Sequence, residues 1–184
     1  LGVINPNAIE DYNRLQERVT GLTLQREDLL KAKADLTRVI GELMNVMRET
    51  FQERFDRINE NFQEIFQELF GGGRAALSFG EGDIMECGIE IAAEPPGKKL
   101  QHISLLSGGE RALTAIALLF AMIRINPSPI CLLDEIDAPL DEANVIRFST
   151  YLTRIDTTQF IVITHRKPTM TICNALYGVA MEEK

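Results

Sequence analysis

SLLSGGERALTAIALLFAMIRINPSPICLLDEIDAPLD, residues 104–141, is the stretch whose reading decides the fold. It begins with a turn, Ser107-Gly108-Gly109-Glu110, and continues as Ala112, Leu113, Ala115, Ile116, Leu118, Leu119, Phe120 and Met122. That spacing predicts a helix, apolar on most sides and therefore buried. Ser107 and Glu110 have capping-box spacing, which by itself describes nothing more than a well-made helix start. The two glycines add a second reading. Glycine is a poor first-turn residue unless something must come close to the backbone, and a helix start with bare amides suits a phosphate.

Pro127 and Pro129 punctuate the end of that helix, and Ile130-Cys131-Leu132-Leu133 then reads as a central, fully buried strand. It runs into Asp134 and Glu135, at the strand end where open α/β sheets place their ligands. The bland alternative is a strand meeting a solvated acidic turn. Alternation along the strand end would point the two carboxylates in different directions. One could then hold a metal while the other faces a nucleophile, an arrangement suited to Mg²⁺-assisted phosphoryl transfer. Asp141 is well placed to cap the helix that follows, an ordinary role on equal terms with a functional one. Gln159-Phe160-Ile161-Val162-Ile163-Thr164 reads as a second buried strand, ending at His165. A histidine at a strand end is more often structural, but at the same sheet edge as an acid pair it can sense phosphate.

Taken together, these segments resemble one family. Leu106-Ser107-Gly108-Gly109-Glu110 is similar to the signature motif of ATP-binding-cassette (ABC) ATPases. Leu132-Leu133-Asp134-Glu135 resembles their Walker B strand, Asp141 their D-loop aspartate and His165 their switch histidine. The fuller wording (GERALTAIALLFA, PSPICLLDEIDAPLDEANVIRF, QFIVITHRKPTM) is similar to structural-maintenance-of-chromosomes (SMC) proteins, of the bacterial condensin type. The resemblance implies the C-terminal lobe of an ABC-type head in the P-loop NTPase superfamily: an α/β fold with a mostly parallel sheet flanked by helices. It implies ATP and Mg²⁺ as ligands. Asp134 would orient the metal, Glu135 would activate the attacking water, and His165 would contact the γ-phosphate of ATP held by the N-terminal half of the same head. Ser107, Gly108, Gly109 and Glu110 would meet ATP on a second head of a homodimer, with Asp141 at that interface. A ScpA-like kleisin subunit and DNA are the further partners implied, in a cytoplasmic, nucleoid-associated setting.

Upstream, the sequence is that of a long helix. Leu15, Leu22, Leu29, Leu36 and Leu43 recur every seventh residue, with Tyr12, Val19, Arg26, Lys33 and Ile40 three residues before each. Such a seam predicts a coiled coil over 1–47, in which Arg26 and Lys33 weaken the seam and help set its register. No second heptad segment is present, so the partner helix is expected from outside this sequence. From Phe51 to Phe70 a broad aromatic stripe predicts burial against a globular body, the lobe assigned to 48–184. Gly71-Gly72-Gly73 stops the helix. Ala75–Phe79 and Ile84–Ala93 read as two strands around Gly80-Glu81-Gly82-Asp83. Neither glycine cluster is G-x-x-x-x-G-K-[ST] or opens a helix, so neither is read as a phosphate loop. Glu142–Ile155, Pro168–Ala175 and Tyr177–Met181 read as helix, short helix and final strand.

Composition sets bounds. The chain has 184 residues and 45% hydrophobic content, enough for one domain core. Its formal charge of −8 gives no support for a DNA-binding face. Cys87, Cys131 and Cys173 lack metal-like spacing and suit buried thiols in a reducing compartment. No run is long enough to span a membrane, and a start at Leu1 without signal sequence suggests an excised piece. Without a phosphate loop the chain is expected to be inactive alone. Two alternatives stand beside the SMC reading: a DNA-repair ATPase head of the RecN kind, and a non-catalytic coiled-coil scaffold. The APLDEAN and PPGKK wording favours SMC over the first, and the intact acids at 134 and 135 argue against the second.

Overall fold

The computed structural model describes residues 7–179. The chain divides into two compact units, residues 1–50 and 51–184. One helix, α1 (Ala8–Phe70), contributes to both. In the first unit the heptad leucines are bare: Leu15, Leu22, Leu29, Leu36 and Leu43 are all exposed. A seam of leucines open to water is unfavourable for a lone helix.

The second unit begins with the aromatic stripe, and here Phe55, Phe62, Ile65, Phe66, Leu69 and Phe70 are buried. Phe66 stacks on Phe70 at 4.1 Å between ring centroids, and Phe55 stacks on Phe79 at 4.0 Å. Full burial of each such side chain stabilises the fold by about 1.5–3 kcal/mol. The helix ends where expected. Gly72 N donates to Gln67 O at 2.9 Å, and Arg147 Nη1 donates to Phe70 O at 2.7 Å, satisfying carbonyls that the helix end leaves open. Gly73 has φ +81°, and a Cβ there would lie 2.3 Å from Glu94 O, so no other residue fits.

Strands β1 (Arg74–Phe79), β2 (Ile89–Glu94) and β3 (Gln101–His102) form an antiparallel sheet in that order. The Asn59 side chain pins it to α1 by accepting from Leu77 N at 2.8 Å. The second strand starts at Ile89, not Ile84. Asp83 diverts the chain first: its carboxylate accepts from Met85 N, and its carbonyl accepts from Glu86 N and Cys87 N. A short 3-10 turn at Ile103–Leu105 leads to α2 (Gly108–Ile125), whose Leu113, Ile116, Ala117, Phe120 and Ala121 are buried.

Next come β4 (Ile130–Asp134), α3 (Glu142–Leu152), β5 (Gln159–Ile163) and the short α4 (Lys167–Thr171). β4 and β5 pair in parallel, Leu132 opposite Ile161 and Asp134 opposite Ile163. These strands are not fully buried as the apolar runs suggested. Cys131, Leu133, Phe160 and Val162 belong to the core or pack against it. The alternate residues face out: Ile130 is 55% exposed, Leu132 62%, Ile161 48% and Ile163 50%. Nor is the sheet mostly parallel, since the three-stranded sheet is antiparallel. The thiol of Cys131 is half-buried rather than buried, as are those of Cys87 and Cys173. Residues 177–179 form no strand, and the rest of the expected last strand lies outside the described residues. Among the described residues no helix is long and apolar enough to cross a membrane.

Candidate functional site

Helix α2 opens with Ser107 as N-cap and a formed capping box. Its short bonds run through one oxygen: Glu110 Oε2 accepts from Ser107 N at 3.1 Å and from Ser107 Oγ at 2.7 Å. Lys98 Nζ also reaches the Glu110 carboxylate, at 2.8 Å. The Lys98 ammonium, and then the Ser107 hydroxyl, hold the Glu110 carboxyl below its ordinary pKa, outweighing slight desolvation. Glu110 is thus engaged by its own helix start and by Lys98.

The two glycines differ. A Cβ on Gly109 would stand 3.1 Å from Pro139 O, so this glycine lets the β4–α3 loop come close. At Gly108 a Cβ would meet nothing within 4 Å. Packing therefore explains Gly109 but not Gly108. The amides of a helix's first turn lack intrahelical acceptors, and those of Gly108 and Gly109 form a small positive pole beside that loop.

At the other edge, β4 ends with Asp134 on the outward side of the sheet, the side that carries exposed Ile130 and Leu132. Glu135 N still bonds Ile163 O at 2.9 Å. The Glu135 backbone, however, leaves the extended region at φ +48°, the one positive φ of a non-glycine among the described residues. Strand alternation therefore does not set the direction of its side chain. Such a conformation costs about 1–3 kcal/mol and clusters at functional positions. His165 Nδ1 lies 3.6 Å from Glu135 Oε1, both side chains being more than half exposed. Two residues 30 apart in sequence thus meet at one sheet edge.

Asp141 is an N-cap: Oδ1 accepts from Asn144 N at 2.8 Å and Oδ2 from Asn144 Nδ2 at 3.2 Å. Asp137, which the sequence did not single out, is the one buried acid in the second unit among the described residues, at 1% exposure. Its Oδ2 accepts from Thr164 Oγ1 and Thr169 Oγ1.

Among the described residues, no group of three or more His, Cys, Asp or Glu side chains could hold a metal ion. Asp134 offers a single open carboxylate. That donor set does not make a protein cage. It does fit Mg²⁺, which keeps several waters and takes one or two carboxylates together with substrate phosphates.

Comparison with known proteins gives the family. Residues 5–184 match the model described as RecF/RecN/SMC N terminal domain. The whole chain aligns, at 52% identity, with 16% of the chromosome partition protein Smc of Clostridium kluyveri. It aligns at 51% with the same share of that of Bacillus subtilis. The chain therefore spans about a sixth of the length of these relatives. Among solved structures, an Smc head domain with coiled coil and joint from Pyrococcus yayanosii aligns with TM-score 0.79 and 39% identity. It covers 97% of this chain and 35% of that one. The Smc head of Pyrococcus furiosus, bound to the C-terminal domain of ScpA, gives TM-score 0.75 and 38% identity over 90% and 42%. A structure from work on ATP-driven dimerisation and DNA-stimulated activation of SMC ATPases gives TM-score 0.69 and 41% identity over 73% and 83%. The long helix and mixed sheets are those of an SMC head-domain fold, and the chain belongs to the RecF/RecN/SMC family.

Proposed function

We propose that this chain is the C-terminal lobe of an SMC ATPase head, completed by an N-terminal half that carries the phosphate loop. The family description names an N-terminal domain. What favours the C-terminal assignment is the chain's own content: a signature-like turn, an acid-ended strand and a switch-like histidine, in that order, without G-x-x-x-x-G-K-[ST]. The observation that carries the reading is the outward face of β4 and β5. Four aliphatic side chains stand open there, and Asp134 shares their face. An exposed apolar face of this kind marks a surface that another body covers. A nucleotide-bearing half seated on it would bring phosphate to Asp134.

In this reading ATP lies between that half and the sheet edge. Mg²⁺, when bound, neutralises charge on the phosphates. Asp134 holds it from the strand end. Glu135 takes the proton of the attacking water, and His165, beside it, faces the γ-phosphate. The open amides of Gly108 and Gly109, with Ser107 and Glu110, serve the ATP of a second head, and Asp141 lies at that contact. Two heads then engage only with nucleotide between them, and hydrolysis separates them. The bare leucine seam of residues 8–47 calls for an antiparallel partner helix from the same protein. A ScpA-like kleisin, as on the Pyrococcus furiosus head, and chromosomal DNA are the partners proposed, with chromosome condensation and segregation in the cytoplasm as the role.

The test is ATPase activity after mixing this chain with the phosphate-loop segment of the same protein, over a range of concentration. Activity in the mixture alone, rising more than linearly with concentration, supports split heads acting as a dimer. Hydrolysis by this chain alone, or none in the mixture, overturns the proposal.

A further inference from the structure

The best-buried acid among the described residues, Asp137, has no part in the chemistry above. Asp137 Oδ2 accepts two hydroxyl protons, from Thr164 Oγ1 at 2.7 Å and from Thr169 Oγ1 at 2.5 Å. Thr169 is itself fully buried. Thr164 Oγ1 in turn accepts from Arg166 N at 3.0 Å, and Arg166 Nη2 donates to Leu140 O at 3.0 Å. These bonds lace two loops: the one after β4, containing Glu135, and the one after β5, containing His165. The first is folded on itself by Ala138 N to Glu135 O and Leu140 N to Asp137 O, each at 3.1 Å.

We infer that Asp137 is a positioning residue: its carboxylate fastens these loops together and thereby holds Glu135 and His165 as a pair. The inference rests on the catalytic reading of that pair. Three features argue for it. Asp137 lies two residues from Glu135, and its partner Thr164 immediately precedes His165. Glu135 holds φ +48°, a conformation that persists only where neighbours over-determine it. Finally, Asp137 Oδ1 is buried without a hydrogen-bond partner. The loops are therefore held through Oδ2 alone, by its bonds to Thr164 and Thr169.

The test has two arms. In the 184-residue chain, ring resonances of the two histidines are recorded at fixed pH for wild type, D137A, D137N and T164V. D137A and T164V are expected to shift His165 and leave His102 in place, with D137N close to wild type because it keeps the acceptor. In the complete head, D137A and T164V are expected to lower kcat for ATP by about tenfold or more with KM within about twofold, the pattern of a lost transition-state interaction. D137N should restore most of the loss. Should D137A fail to fold, with His102 displaced too, T164V decides the matter. Unmoved His165 resonances or unchanged kcat in T164V overturns the inference. A wild-type complete head that hydrolyses no ATP overturns the catalytic reading instead, and leaves the histidine resonances to judge the clamp.

Discussion

Glu135 Oε1 and His165 Nδ1 stand 3.6 Å apart, brought together by the parallel pairing of β4 with β5. The separation is too long for a hydrogen bond, and both side chains are more than half exposed, so each is open to a ligand approaching that edge. The first prediction concerns this pair. In the completed head, Glu135→Gln should leave ATP binding intact and reduce hydrolysis by about 10²-fold or more, the usual scale for loss of a general base. Engaged dimers should accumulate with ATP and be visible by sedimentation. Hydrolysis at the wild-type rate would remove Glu135 from the base role.

The glycines of the signature-like turn should separate by readout. Gly109→Ala presses a Cβ against Pro139 O, and overpacking of this kind costs about 1–3 kcal/mol. Its melting temperature should fall. Gly108→Ala meets open space, so the melting temperature should hold or rise slightly. On the proposed function, nucleotide-dependent engagement of heads should nevertheless weaken in Gly108→Ala, because a methyl group would crowd the amides assigned there to phosphate. If engagement were normal, that helix start would be a cap and nothing more.

Several of these features were legible in the sequence, each for a local reason. Periodicity placed α1, α2 and α3, and Gly71–Gly73 marked the end of α1. Of the residues singled out, the acid strand and the histidine supply Glu135 and His165, which the fold brings to 3.6 Å. Two of the departures from expectation have a plain physical cause. An apolar run shows that a strand wants burial on both faces, not that this chain covers both, so β4 and β5 looked like core when one face is open. The Ile84–Gly88 stretch has strand-like composition, but Asp83 offers nearby amides both a side-chain and a main-chain acceptor, and the turn wins. Asp137 had no sequence signal. Its partners Thr164 and Thr169 lie 27 and 32 residues away, and only the pairing of β5 with β4 and the placement of α4 bring them to it.

The open sheet face supplies a third prediction. Leu132→Ser or Ile161→Ser removes exposed apolar surface, at modest cost to the isolated chain, since these side chains are only about half buried here. The isolated variants should be less prone to self-association than wild type in light scattering. Their affinity for the phosphate-loop half should fall, by roughly 1 kcal/mol or more for each aliphatic group lost. Unchanged affinity in both variants would mean that the N-terminal half sits elsewhere.

The last prediction is a pH dependence. Glu110 has its pKa lowered, first by Lys98 and then by Ser107. A carboxylate depressed in the folded state contributes stability above its unfolded pKa and loses it as pH falls through the folded value. At neutral pH the Lys98 contact is in place, so Lys98→Ala should melt slightly below wild type. The difference should be small, because the pair is near the surface and screened by solvent. It should persist down to about pH 4.3, the ordinary glutamate value, and close below it as Glu110 takes up its proton. High salt should shrink the gap at neutral pH in the same way. A gap of constant size across the whole range would show that Lys98 acts through its aliphatic stem and not through its charge.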